Sequence, residues 1–141
     1  MSIVYRFDQR LGASLELWHG TVTADQFLAH VRRLTADPDW PPDGKRHLSD
    51  LRTAVVDASI DNDVLKTAAD LYGRHPQIQH LRAAIVATDS FVQAGVFERF
   101  ITPYGPFVFV FITLNPACAW LGIDAAETER ILRTLRRQAA S

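Results

Sequence analysis

The chain has 141 residues and a mass of 15.8 kDa, with 48% hydrophobic and 22% charged residues. That is the length of one domain, able to bury roughly 68–70% of its unfolded surface, and the balance excludes disorder, collagen, a disulfide scaffold and a repeat array. A formal net charge of −1 and a pI near 6.5 supply no basic face for nucleic acid.

The one cysteine, Cys118, excludes an intrachain disulfide and a multi-cysteine metal site. It reads as a small buried hydrophobe. Arg6 and Asp8 stand where a signal peptide needs apolar residues. The longest strongly apolar run, 107–112, is far shorter than the about 20 residues that span a bilayer. The expectation is a soluble, cytoplasmic protein with residues 1–141 as a single domain.

Residues 3–7 alternate, with Ile3, Tyr5 and Phe7 on one side and Val4 and Arg6 on the other, and 15–19 alternate again after Leu11-Gly12. The two runs predict a hairpin. Thr23-Ala24-Asp25-Gln26 fits a capping box, followed by Phe27, Leu28, Val31 and Leu34 at helical spacing. Prolines end this helix, and residues 37–44 read as a loop whose bulky apolar residue is Trp40. Residues 45–51 predict a short strand. Ser59 or Asp61 can start the next helix, with Val64, Leu65, Ala68, Leu71 and Tyr72 as its apolar stripe. Gly73 suits a left-handed position just past its end.

Residues 81–87 run almost continuously apolar, as in a central strand covered on both faces. Thr88-Asp89-Ser90 is a cluster of cap residues before a helix carrying Phe91, Val92, Val96, Phe97 and Phe100. Residues 107–112 predict a second strand apolar on both faces, which must be covered to avoid aggregation. Pro116 sits in the first turn of a short helix ending at Gly122. Asp124-Ala125-Ala126-Glu127 is a second capping box. The last helix turns Ile131, Leu132 and Leu135 inward, and Arg130, Arg133, Arg136 and Arg137 read as a solvated face. The order predicts an α/β fold: a mixed sheet of about five strands with an N-terminal hairpin, βαβ units and flanking helices.

Four stretches carry a family likeness: residues 20–27, the strand His47-Leu48-Ser49-Asp50-Leu51-Arg52, the strand 81–89, and Phe109-Val110-Phe111 with Ala117-Cys118-Ala119-Trp120-Leu121-Gly122. With these the chain resembles the STAS-like superfamily, and more narrowly the SpoIIAA-like single-domain proteins of bacteria, whose fold is related to lipid-binding CRAL-TRIO domains. The resemblance implies a non-enzymatic regulatory module acting through protein contacts, as a partner of other proteins or of itself in a homodimer. Phosphorylated antagonists of the superfamily carry an Asp-Ser-Ser-Gly-type turn. The matching region here, 56–62, keeps Ser59 without the second serine or the glycine. A phosphate on Ser59 would add about −1.5 to −2 charge beside Asp57, Asp61 and Asp63.

In a strand His47 and Ser49 share one face while Asp50 points to the other, a spacing that does not assemble nucleophile, base and orienter. There is no Gly-x-Ser-x-Gly and no His-Glu-x-x-His, and no histidine spacing recommends a metal site. No catalytic residue, metal or cofactor is expected. The carboxyl ends of parallel strands face helix N-termini, whose free amides attract anions. Asp50, Arg52, Ser59, Asp89 and Ser90 fall at that edge. They read either as caps and turn residues or as a contact region for a protein partner or small anion. Phe91, Phe97, Phe100, Phe107, Phe109 and Phe111 read either as solid core or as an apolar pocket for a lipid-like ligand. Excess aromatic area on the outer face would suit a dimer contact.

Overall fold

Side-chain alternation in the two N-terminal runs produces the expected hairpin. In the computed structural model, which describes residues 1–41 and 45–141, β1 (Ile3–Asp8) pairs antiparallel with β2 (Ala13–Val22). The expected loop over 37–44 falls in part on residues 42–44, outside the described residues. Three βαβ steps follow: α1 (Ala24–Thr35) leads to β3 (Arg46–Val56), α2 (Asn62–Gly73) to β4 (Arg82–Val86), and α3 (Phe91–Ile101) to β5 (Phe107–Phe111). The strands β2 to β5 are parallel, and the spatial order is β1-β2-β3-β4-β5. Segments 81–87 and 107–112 therefore lie side by side in parallel, as the apolar runs require.

Steps that keep one hand and one direction put every crossover helix on the same face of the sheet. One apolar core accordingly joins Phe27 and Val31 of α1, Leu65 and Ala68 of α2, and Ala94 and Ile101 of α3 to that face. The opposite face is covered by α4 (Leu114–Leu121) and α5 (Ala125–Ala140) through Ala117, Leu121, Ile131, Leu132 and Leu135. Both Thr23 bonds of the capping box are formed. The second box is half made: Asp124 accepts from the Glu127 amide. Gly122 closes α4 at φ 74°, the left-handed conformation glycine adopts without strain.

Three expectations need correction, and one alternative is resolved. β3 continues to Val56, beyond the short strand over 45–51, because Leu51 and Arg52 together oppose Trp18 and the bulge shifts the alternation by one. Leu51 and Ala54, three residues apart, consequently share a face. Of the two expected starts of α2, Asp61 is the one used: it caps the helix through the Val64 amide. Gly73 lies within α2 rather than in a left-handed cap. Its lack of a Cβ admits the Tyr104 ring, which a methyl placed there would meet too closely. Finally, β5 is the edge of the sheet, not a strand covered on both faces: Phe107, Phe109 and Ile112 are 56%, 50% and 59% exposed.

Candidate functional site

Between the sheet and α1–α3 lies a cavity of about 110 Å³. Its walls are apolar, from Phe27 of α1, Trp40 of the following loop, Leu65 of α2, Ile85 of β4 and Phe97 of α3. Its polar side is formed by Glu16 of β2 and by His47 and Ser49 of β3. Strand alternation points all three to this face, and the two strands are neighbours, so Glu16 stands directly opposite Ser49.

Glu16 is only 4% exposed, and its carboxylate is fully engaged. Oε2 accepts from the Trp18 indole N–H at 2.7 Å and from the Ser49 hydroxyl at 3.0 Å. Oε1 meets His30 Nε2 at 2.6 Å, and His47 Nε2 lies 3.7 Å away. Burial pushes the Glu16 carboxyl up, but His30, His47 and the indole outweigh it and hold the group down at about 2. His47 Nδ1 sits 2.7 Å from the Ser14 hydroxyl and Nε2 sits 2.9 Å from Ser49 Oγ. Ser49 spends its single proton on Glu16, so His47 Nε2 carries the hydrogen that Ser49 Oγ accepts, and Nδ1 accepts from Ser14. Burial, with His30 nearby, keeps the imidazole below its usual value against the pull of Glu16. In this arrangement the imidazole gives Ser49 a proton rather than taking one. It positions a buried carboxylate and does not activate a nucleophile.

Two further groups at the cavity have no partner. Gln93 Oε1 is buried without a hydrogen bond. The Tyr72 hydroxyl makes none among the described residues, and burial, with the charges of Glu16 and Tyr5, raises its pKa well above the ordinary range. It stays protonated, a donor on a residue that lines the same cavity as Gln93. Among the described residues no group of three or more potential ligands is placed to hold a metal ion, and no helix is long and apolar enough to cross a membrane.

The opposite face carries a different polar cluster. Asp50, fully enclosed, receives Arg52 through both carboxylate oxygens at 2.9 Å, and Arg136 of α5 lies 3.5 Å from Oδ2. Arg52 also donates to Glu129 of α5 at 3.1 Å.

No known family model matches the sequence, and no curated protein does. Among solved structures the chain is similar to an uncharacterised protein of the DUF3478 family with a SpoIIAA-like fold, from Shewanella loihica PV-4. Identity is 15% over 84% of this chain and 91% of that one, with a TM-score of 0.50. The chain has a SpoIIAA-like fold.

Within this SpoIIAA-like frame the five rim residues do not form one cluster. Asp50 and Arg52 bind each other and α5. Ser59 is exposed beyond the end of β3, and its hydroxyl accepts from the Ala24 amide at the start of α1, at 3.0 Å. Asp89 is exposed, while Ser90 is buried at the N-cap of α3 with its hydroxyl unpaired. Of the six phenylalanines, Phe97 lines the cavity. Phe100 packs against the same core, Phe91 is exposed, and Phe107, Phe109 and Phe111 belong to the edge strand, the last two against Trp120.

The sequence reading missed Glu16, Trp18, His30, Tyr72 and Gln93. The usable signal was an acid inside an otherwise apolar strand, Leu15-Glu16-Leu17-Trp18. An acid there is wet in an edge strand and buried in an interior one, and β2 is interior because β3 returns beside it.

Proposed function

We propose that the protein is a small-molecule-binding module: one mostly apolar molecule with a single uncharged polar group occupies the cavity beneath α1–α3. The observation that carries this reading is a cavity of about 110 Å³ with apolar walls, lined in part by Tyr72, in which Gln93 Oε1 is buried and unpaired. Native proteins rarely leave buried polar atoms unsatisfied, since each costs about 1–3 kcal/mol. Apolar cavities of ~150 Å³ hold a benzene-sized molecule, so a phenol, a short alcohol or a small carbonyl compound matches the scale. The ionised Glu16 at the wall disfavours a carboxylic acid by like charge.

Native mass spectrometry of freshly purified protein, and titration with phenol and benzoate followed by Trp18 and Trp40 fluorescence, test the reading. Phenol is expected to bind and benzoate to bind at least tenfold more weakly. Ala94→Leu, which fills the cavity from α3, should abolish phenol binding. No ligand in the mass spectrum together with no response to phenol overturns it. A second reading, contact with another protein, draws its support from the exposure of Ser59 and Asp89 where strands hand over to helices. Alanine at both positions that leaves every captured partner bound removes it.

A further inference from the structure

We infer that β5 is the seam of a homodimer, in which it pairs antiparallel with β5 of a second copy across a two-fold axis at Phe109. Among the described residues the strand lies at the edge of the sheet, with β4 as its ladder partner. Phe107 N–H donates to Leu81 at 2.7 Å and the Phe111 carbonyl accepts from Ala87 at 2.8 Å, so the odd-numbered residues face β4. By the alternation of a parallel ladder, the N–H and C=O groups of Val108 and Val110 point at the open side.

The sequence of the strand, Phe107-Val108-Phe109-Val110-Phe111, reads the same in both directions. Antiparallel self-pairing about its centre sets Val108 opposite Val110 of the second copy, and Phe107 opposite Phe111. The two outward-facing valines then form the hydrogen-bonded pairs that exchange both bonds. Phe109 meets its own copy at a non-hydrogen-bonded position, where side chains approach closest. Backbone geometry and side-chain order thus demand the same register, and they demand it of a second copy of this strand, because a two-fold interface is self-complementary.

Two features add to this. Natural edges are guarded by charges, proline or a bulge, yet β5 carries no charged residue and is paired to β4 without a register break. The exposed area is aromatic and continuous on the α4 side: Phe107 and Phe109 stand in the open, with Phe109 edge-on to Trp120 at 4.9 Å. Arg82 donates to the Trp120 carbonyl and lies over its ring at 4.7 Å, which fixes the indole beside the seam. Pairing would extend the sheet through both copies and cover Phe109 with its equivalent. The cavity lies on the other face, so this inference stands or falls independently of ligand binding.

Sedimentation velocity and light scattering on the full chain between about 1 and 100 μM are the test. The wild type should sediment as a dimer, and hydrogen exchange should show protected Val108 and Val110 amides. Phe109→Lys should weaken association at least a hundredfold with an unchanged far-UV circular dichroism spectrum. Val110→Pro removes an outward N–H that makes no bond to β4, so it gives a second readout if the lysine variant fails to fold. It should yield a folded monomer whose Val108 amide exchanges freely. A wild type that stays monomeric at 100 μM overturns the inference, as does a dimer that survives in folded variants.

Discussion

Glu16 and His47 illustrate how much a side chain's chemistry depends on partners distant in sequence. A carboxyl group with a pKa of about 2 in the fold and an ordinary value of 4.5 contributes stability that is complete above pH 4.5 and is lost as pH falls toward 2. His47 is also lowered, from an ordinary 6.5, so its contribution is complete above pH 6.5 and declines below it. Thermal melts from pH 8 to pH 3 should therefore show a first loss of stability below about pH 6.5 and a second below 4.5. His47→Gln should remove the first step. Glu16→Gln should blunt the second and cost about 1–3 kcal/mol at neutral pH, because an amide NH2 replaces one of the two oxygens that accept from Trp18, Ser49 and His30. The shared face of His47 and Ser49 is legible from strand alternation alone. The partnership with Glu16 is not, since it depends on the parallel register that sets β2 beside β3.

At the level of elements, the network around Asp50 ties α5 to the sheet. The last helix was legible from its apolar spacing, and its arginines read as a solvated row. Arg136 instead reaches the enclosed Asp50, and Glu129 holds Arg52. Asp50→Ala should destabilise the protein by about 3 kcal/mol, the order expected when one partner of a buried ion pair is removed. Amide exchange should rise first in α5, whereas Glu127→Ala, which breaks an exposed pair with Arg130, should change stability by less than about 0.5 kcal/mol. The length of β3 escaped the sequence because its bulge breaks the period on which strand recognition depends. Gly73 escaped for a different reason: its role is to admit a ring from a turn 31 positions later, Thr102–Tyr104, and composition near Gly73 carries no trace of it.

On the scale of the molecule, the two helix layers divide the labour. α4 and α5 close one core, with Ala117, Leu121 and Leu132 fully or almost fully enclosed. α1–α3 close the other around a space. A ligand that binds only the folded state stabilises it by mass action, about 2.7 kcal/mol at a hundredfold excess over its Kd. Phenol at that excess should raise the melting temperature by on the order of 10 °C, and Ala94→Leu should show no rise. Ala94 offers the site for this test because it lines the cavity, is buried, and lies on a helix where leucine ranks just below alanine as a former.

The hairpin, the three βαβ steps, the caps at Thr23 and Asp124 and the presence of flanking helices were all written in the chain, because they follow from local periods and from residues a few positions apart. Which strand lies at the edge, which acid is buried, and whether aromatic residues fill a core or surround a cavity were decided only by tertiary structure. Those outcomes depend on which face of an element ends up beneath which neighbour. Phe109 in the open and Glu16 inside are each the reverse of what residue type alone suggests, and in both cases strand order decides: β5 has a neighbour on one side, and β2 on two.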